Sequence, residues 1–260
     1  SDLGYATALI GKTHFVAREL ELQHVAGDPA PDPEKPLPPE SFWHEFDGPY
    51  LGFQRIRHAS PHTCDRAPDG HYRAWLQDKD VNVDHLHFSK DMTKEERQAF
   101  RGRWELDENL TQNAWIVEES IKFIDEQADD KPWLCWASFQ DPHPPFVCPE
   151  PWYSSVDMSG VDLGGLRPGE MQGKPPFYQR FIDGKYFTDS DDIHLWDGIN
   201  VPAQGLYESH PEPAKCIQAY IGMVNMLDAW IGRLIGHLEE TGRLDNTLIV
   251  FTTDHGEMLR

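Results

Sequence analysis

Two patterns alternate along the chain. Short continuous apolar runs stop abruptly in polar groups, and longer segments carry apolar residues at helical spacing. The first run, Tyr5-Ala6-Thr7-Ala8-Leu9-Ile10, is followed by Gly11-Lys12-Thr13-His14. A second, Trp133-Leu134-Cys135-Trp136-Ala137-Ser138-Phe139, ends in Gln140-Asp141-Pro142-His143-Pro144-Pro145-Phe146. The third, Leu248-Ile249-Val250-Phe251-Thr252-Thr253, ends in Asp254-His255-Gly256-Glu257. Runs of this length, bounded by turn residues, predict buried strands of an open sheet rather than helices. Between them, Ala114, Val117, Ile121 and Ile124 predict a helix over 109–127, capped by Asn109 or Thr111. Ile217, Ile221, Val224, Leu227, Ile231, Leu234 and Leu238 predict a longer one over 213–241, which Gly242 ends. Strands alternating with helices imply an α/β fold with a largely parallel central sheet flanked by helices.

Two stretches break this rhythm. Residues 40–105 are aromatic-rich and interrupted, with Tyr50-Leu51-Gly52-Phe53 as their single short strand and a short amphipathic helix starting at Gly70. Residues 149–212 are rich in Pro, Gly and Asp, too long for a plain loop in a compact domain, and read as a functional insertion or lid over the sheet edge. Within them Asp189-Ser190-Asp191-Asp192 lacks EF-hand spacing and reads as a solvated acidic turn.

Charge narrows the function classes. Forty-four acidic against 23 basic residues give −21, which argues against a nucleic-acid backbone or an anionic membrane as partner. An anionic substrate then needs a local cation. No stretch approaches the ~18 apolar residues of a membrane span, and the N-terminus has no signal-peptide pattern. Cys64, Cys135, Cys148 and Cys216 lie far apart without a CxxC pair, which indicates no zinc ribbon and leaves two bridges possible. The compartment and the oligomeric state stay open.

Candidate chemistry lies at the ends of the apolar runs, because parallel strands bring their carboxyl ends to one edge, where ligands bind in open α/β sheets. Asp254 and His255, side by side, suit a divalent cation; alternatively Asp254 caps a helix begun by Gly256-Glu257-Met258. Lys12 and His14 are two residues apart along an extended chain and hence on the same side. His143 stands among three prolines that hold its loop stiff. Any one of the 13 histidines is by default an ordinary surface or satisfied residue. The coincidence of Lys-x-His, Pro-His-Pro and Asp-His at three strand ends sets these apart. Asp228, on or near the apolar face of the last helix, reads as a structural carboxylate rather than a ligand.

These three segments look like those of the type I sulfatases of the alkaline phosphatase superfamily. Residues 4–14 resemble the second sulfatase signature, G-Y-x-T-x-x-x-G-K-x-H, and match it at every fixed position. The resemblance implies an alkaline-phosphatase-like α/β fold with long insertions at about 40–105 and 149–212. It implies hydrolysis of a small-molecule or carbohydrate sulfate monoester. Asp254 and His255 become metal ligands, for calcium foremost, with manganese or magnesium as options. Lys12 becomes the group that neutralises the nucleophile or the sulfate oxygens, His14 the base that releases sulfate, and His143 a sulfate ligand and proton donor to the leaving alcohol. The family's formylglycine signature, C-x-P-S-R or its serine version, is absent, as are the acidic metal ligands that precede it; Cys64-Asp65-Arg66-Ala67-Pro68 is no match. The expectation is therefore the central part of one catalytic domain, truncated at both ends, inactive on its own and a weak cation binder. Phosphonate monoester and phosphodiester hydrolases of the same superfamily are the alternative, although they look to replace the lysine and histidine of the G-K-x-H segment with neutral hydroxyl residues. A sulfatase-like protein that binds without catalysis is the other.

Overall fold

The structure is a computed structural model that describes residues 3–13, 15, 18–28, 36–60, 69–83, 102–143, 146–164, 167–176 and 213–257. The chain begins with β1 (Ala6–Gly11), all six residues of which are buried. Helices α1 (Arg18–Val25) and α2 (Glu40–Glu45) follow, then β2 (Arg55–Ser60) and α3 (Gly70–Asp78). After β3 (Gly102–Trp104) and a 3-10 turn (Glu108–Leu110) comes α4 (Gln112–Asp125), and then β4 (Trp133–Ser138) and β5 (Val147–Pro149). The long helix α5 (Pro213–Glu240) and a 3-10 turn (Leu244–Asn246) complete the described elements.

The fold is α/β with parallel sheets, as the alternation of runs predicts. The central sheet has the order β2-β1-β4 and is parallel throughout. Gly11 pairs with His58 on one side and with Ser138 on the other, so β1 and β4 end level and β2 runs two residues further, to Ser60. A second, two-stranded parallel sheet joins β3 and β5. One face of β1, through Ala6, Ala8 and Ile10, packs against Trp115, Ile116, Phe123 and Ile124 of α4 and Leu238 of α5. The other face, through Leu9, meets Leu22 and Val25 of α1, Trp43 of α2, and Tyr50.

Helix α4 starts where its capping residue directs: the Thr111 hydroxyl accepts from the Ala114 amide at 3.3 Å and donates to the Glu108 carbonyl at 2.7 Å. Strand β2 lies in a stretch where only Tyr50–Phe53 is expected to be extended; those two residues form an isolated antiparallel bridge instead. β2 carries arginine at alternate positions. Arg55 pairs with Glu126, and Arg57 with Asp47 and Glu119, so a polar sheet edge is closed by ion pairs with α4 and its C-terminal turn rather than by apolar contact.

Two expectations need correction. Residues 248–251 form no strand: Leu248, Ile249, Val250 and Phe251 are 89%, 46%, 76% and 78% exposed. An apolar run becomes a buried strand only beside a partner that takes up its backbone hydrogen bonds. Among the described residues no strand pairs with it, and the segment stays exposed. The buried stripe of α5 keeps Ile217 and Leu238 of the expected positions but differs between them. It runs through Ala219, Met223, Met226 and Trp230, whereas Val224 is 40% exposed and Asp228 points to solvent. Cys135, Cys148 and Cys216 are free thiols, while Cys64, His14 and the acidic turn at 189–192 lie outside the described residues.

Candidate active site

Gly11 sets the geometry of the sheet edge. Its φ is +111°, and a Cβ there would stand 2.0 Å from the Ser138 carbonyl oxygen. Only glycine lets β1 come this close to β4. The next residue uses the approach: the Lys12 amide donates to the same Ser138 oxygen at 2.9 Å. Lys12, half-buried, therefore leaves the sheet fastened to the point at which β4 ends and the His143 loop begins.

That loop turns tightly. The His143 amide donates to the Gln140 carbonyl at 3.0 Å, enclosing Asp141 and Pro142, and the His143 side chain is exposed. Asp141 accepts at 2.8 Å from Nδ2 of Asn113, a buried residue in the first turn of α4. The sequence pattern marks α4 but gives Asn113 no role; its only signal is a polar side chain one turn into an amphipathic helix.

Asp254 and His255 share one small loop. Asp254 Oδ1 accepts from the His255 amide at 2.9 Å, and His255 Nδ1 donates to the Gly256 carbonyl at 2.8 Å. His255 Nε2 is 3.6 Å from Asp254 Oδ2, and both side chains are largely exposed. The Gly256 carbonyl, and then the charge of Asp254, push the His255 imidazole above its ordinary value. For Asp254 burial favours the neutral acid, but the His255 amide, the His255 charge and Lys12 together hold the carboxyl below its usual range. The charge of Lys12 thus reaches both residues, and that of Glu257 reaches Tyr220 on α5. Lys12, Asp254 and His255 therefore lie close enough to feel one another's charge.

The geometry of the pair suits one edge of a divalent cation's shell. Donors held at right angles about 2.3–2.6 Å from a cation are about 3.3–3.7 Å apart, so the 3.6 Å between Nε2 and Oδ2 matches one edge of such a shell. With Nδ1 donating to Gly256, Nε2 is the nitrogen available to a metal. Two donors are only part of a shell, and among the described residues no group of three or more His, Cys, Asp or Glu forms a complete one. A cleft of about 450 Å³ lies elsewhere, between Arg103, Asp107, Glu108 and Glu150. None of Lys12, His143, Asp254 or His255 lines it, and its carboxylates would repel an anion.

Comparison with known proteins decides the family. The family model described as Sulfatase matches residues 70–260. The chain belongs to the sulfatase family. It is 28% identical over 262 residues to an arylsulfatase of Clostridium perfringens, covering all of this chain and 46% of that protein. A multifunctional alkaline phosphatase superfamily protein of Trinickia caryophylli is 27% identical over 157 residues, covering 58% of this chain and 28% of that one. The sulfatase chain therefore spans less than half the length of these curated relatives. Its fold is that of the phosphonate monoester hydrolase of Agrobacterium radiobacter, with a TM-score of 0.55, 24% identity, and coverage of 98% of this chain and 46% of the other. The alkaline-phosphatase-like α/β class that the resemblance to sulfatases implies is thus the class of the folded chain. No helix among the described residues is long and apolar enough to cross a membrane.

Proposed function

We propose that the whole protein hydrolyses a sulfate monoester, and that these 260 residues are the central part of its catalytic domain. The observation that carries the reading is the junction of Lys12 with the end of β4, together with the reach of the Lys12 charge to Asp254 and His255. A sulfate ester is an anion with a poor alkoxide leaving group, so its cleavage calls for charge neutralisation and a proton for the departing oxygen. Lys12 neutralises the sulfate oxygens. His143, exposed at the tip of its turn, donates a proton to the ester oxygen as the S–O bond breaks. His14, two residues past Lys12 and outside the described residues, is the base that frees sulfate. Asp254 and His255 hold a divalent cation, calcium foremost, which when bound draws negative charge off the sulfate oxygens. No C-x-P-S-R or S-x-P-S-R occurs in these 260 residues, so the formylglycine nucleophile belongs to the whole protein in this reading. A small-molecule or carbohydrate sulfate is the substrate class.

Full-length protein assayed on a chromogenic aryl sulfate and on a phosphonate monoester, with and without chelator, tests the proposal. Faster turnover of the sulfate, lost on chelation, is the expected result. Lys12→Ala should lower kcat/KM by about 100- to 1,000-fold, the usual effect of deleting one group that stabilises developing negative charge. Faster phosphonate hydrolysis would sink the sulfatase reading in favour of the second one, for which the shared fold of the phosphonate monoester hydrolase speaks.

A further inference from the structure

We infer that Asn113 is a positioning residue: it holds the turn at residues 140–143 so that His143 faces the ester oxygen. The inference rests on the role given to His143 above. Asn113 is 1% exposed, and its Nδ2 donates to Asp141 Oδ2 at 2.8 Å. A carboxylate only accepts, so the amide must present its NH2 to Asp141; that contact fixes which way the side chain lies. Its Oδ1 is also buried and has no hydrogen-bond partner. A buried amide that uses only its donor end is costly as plain packing, which points to the contact with Asp141 as the reason for the residue.

The anchor is rigid. Thr111 caps α4 two residues earlier, and Trp115 and Ile116, two and three residues later, are buried against β1. The His143 side chain at the tip of the turn is exposed, and the turn itself carries a backbone hydrogen bond from His143 to Gln140. Asn113 therefore joins the helix that packs on β1 to the loop that leaves β4. Lys12 is fastened to the same two strands, so this contact helps to fix the histidine's turn relative to the lysine.

Asn113→Asp in the full-length protein is the sharpest test, because it keeps the shape and sets two carboxylates against each other. The exchange Asn113→Asp with Asp141→Asn restores a donor–acceptor pair with its direction reversed. Expected for the single variant is a fall in kcat of about 10- to 100-fold, the scale of a misplacement near 1 Å, with KM within about threefold. The loss should be larger for an alkyl sulfate, whose leaving group needs the proton, than for 4-nitrophenyl sulfate, whose leaving group does not. The exchanged pair should recover at least half of the lost activity on a logarithmic scale. Hydrogen exchange of the His143 amide gives a readout independent of turnover: protection lost in Asn113→Asp and regained in the exchanged pair. Unchanged protection in the single variant, or a kcat within twofold of wild type, would overturn the inference. An equal loss on both sulfates with protection lost would keep Asn113 as the positioner of the turn and remove proton donation by His143. Wild-type protein that prefers a phosphonate ester would overturn only the sulfatase reading, because the same variants can be compared on that substrate.

Discussion

Gly11→Ala tests the central claim about the sheet edge, that β1 and β4 touch because one residue lacks a side chain. The new methyl carbon would lie 2.0 Å from the Ser138 carbonyl oxygen, 2.9 Å from its carbon and 3.0 Å from Ile116 Cδ1. The first two atoms are backbone of a neighbouring strand and cannot swing aside. The φ of +111° adds about 1–3 kcal/mol of backbone strain for any other residue, and forcing a methyl group into a filled space costs a further ~1–3 kcal/mol. The sum, about 2–6 kcal/mol, is a large share of the ~5–15 kcal/mol that holds a typical domain together. Gly27→Ala serves as the control, because Gly27 also has positive φ, at +89°, but no atom within 4 Å of the added Cβ. It should cost only the backbone strain, and the difference between the two variants isolates the contact with β4. Urea unfolding of both variants gives the stabilities. Aryl sulfate kinetics on the full-length protein should show activity falling about 100-fold for Gly11→Ala, because Lys12 donates to the very oxygen that the methyl group displaces. If Gly11→Ala destabilises by no more than Gly27→Ala and leaves turnover intact, the strands are not held in this close approach and the argument for the site geometry fails.

Other expectations follow from single contacts. His71 is pushed down to about 3, chiefly by burial and further by Arg57 and His58, with the Phe46 carbonyl opposing, so between pH 3 and 6.5 the unfolded chain binds a proton that the folded chain refuses. Stability is full above pH 6.5 and falls with pH below it, by about 2 kcal/mol at pH 5 from this residue; urea midpoints at pH 5 and 7 should show that loss, and His71→Gln should flatten it. Gly222→Ala would set a methyl group 2.9 Å from Cys148 Sγ and 3.0 Å from the Trp152 carbonyl oxygen, and should lower stability by about 1–3 kcal/mol without moving Lys12; calorimetry measures it, and a neutral result would mean that α5 and β5 can part at little cost. Asp254→Asn in the full-length protein should weaken activation by calcium beyond the ~10- to 100-fold caused by losing a mere partner of a ligand. Isothermal titration of the metal checks this, and an unaltered affinity would remove Asp254 from the cation site.

The legible parts of the fold are those whose local pattern and final surroundings agree. β1 and β4 are apolar runs that end in turn chemistry, and α4 has both a stripe and a cap at Thr111. β2 misled for a physical reason. Its alternation of Arg55, Ile56, Arg57 and His58 has the period of a strand, but the arginines face α4, where acidic residues of that helix and the turn after it meet them. A pattern scored by hydrophobicity sees charge there and no core. Helix α5 is apolar over much of its circumference, so periodicity marks a helix without choosing which stripe is buried; β5 and α4 make that choice, selecting Met223, Met226 and Trp230. For residues 248–251 the pattern records what the backbone prefers, and burial depends on a neighbour that the described residues do not supply.

The same distinction applies to the site. Lys12, His143, Asp254 and His255 are candidates because each follows an apolar run; for Lys12 and His143 that run is a strand of the central sheet, whereas the run before Asp254 pairs with no strand among the described residues. Gly11 and Asn113 are no such candidates, since what matters about them is contact across the fold: with Ser138 in one case and Asp141 in the other. The electrostatics then join the two kinds of residue. Lys12 helps, after the His255 amide and the His255 charge, to keep Asp254 ionised, so the two opposite charges partly offset each other. In the proposed reaction Asp254 and His255 would hold a cation, which would reverse this by neutralising the carboxylate and leaving Lys12 to act on sulfate. A chain of net charge −21 attracts an anion only through such a local reversal. The close approach at Gly11 fastens Lys12 to the end of β4, and in the inferred arrangement the hold of Asn113 on Asp141 would keep His143 at the same end of that strand.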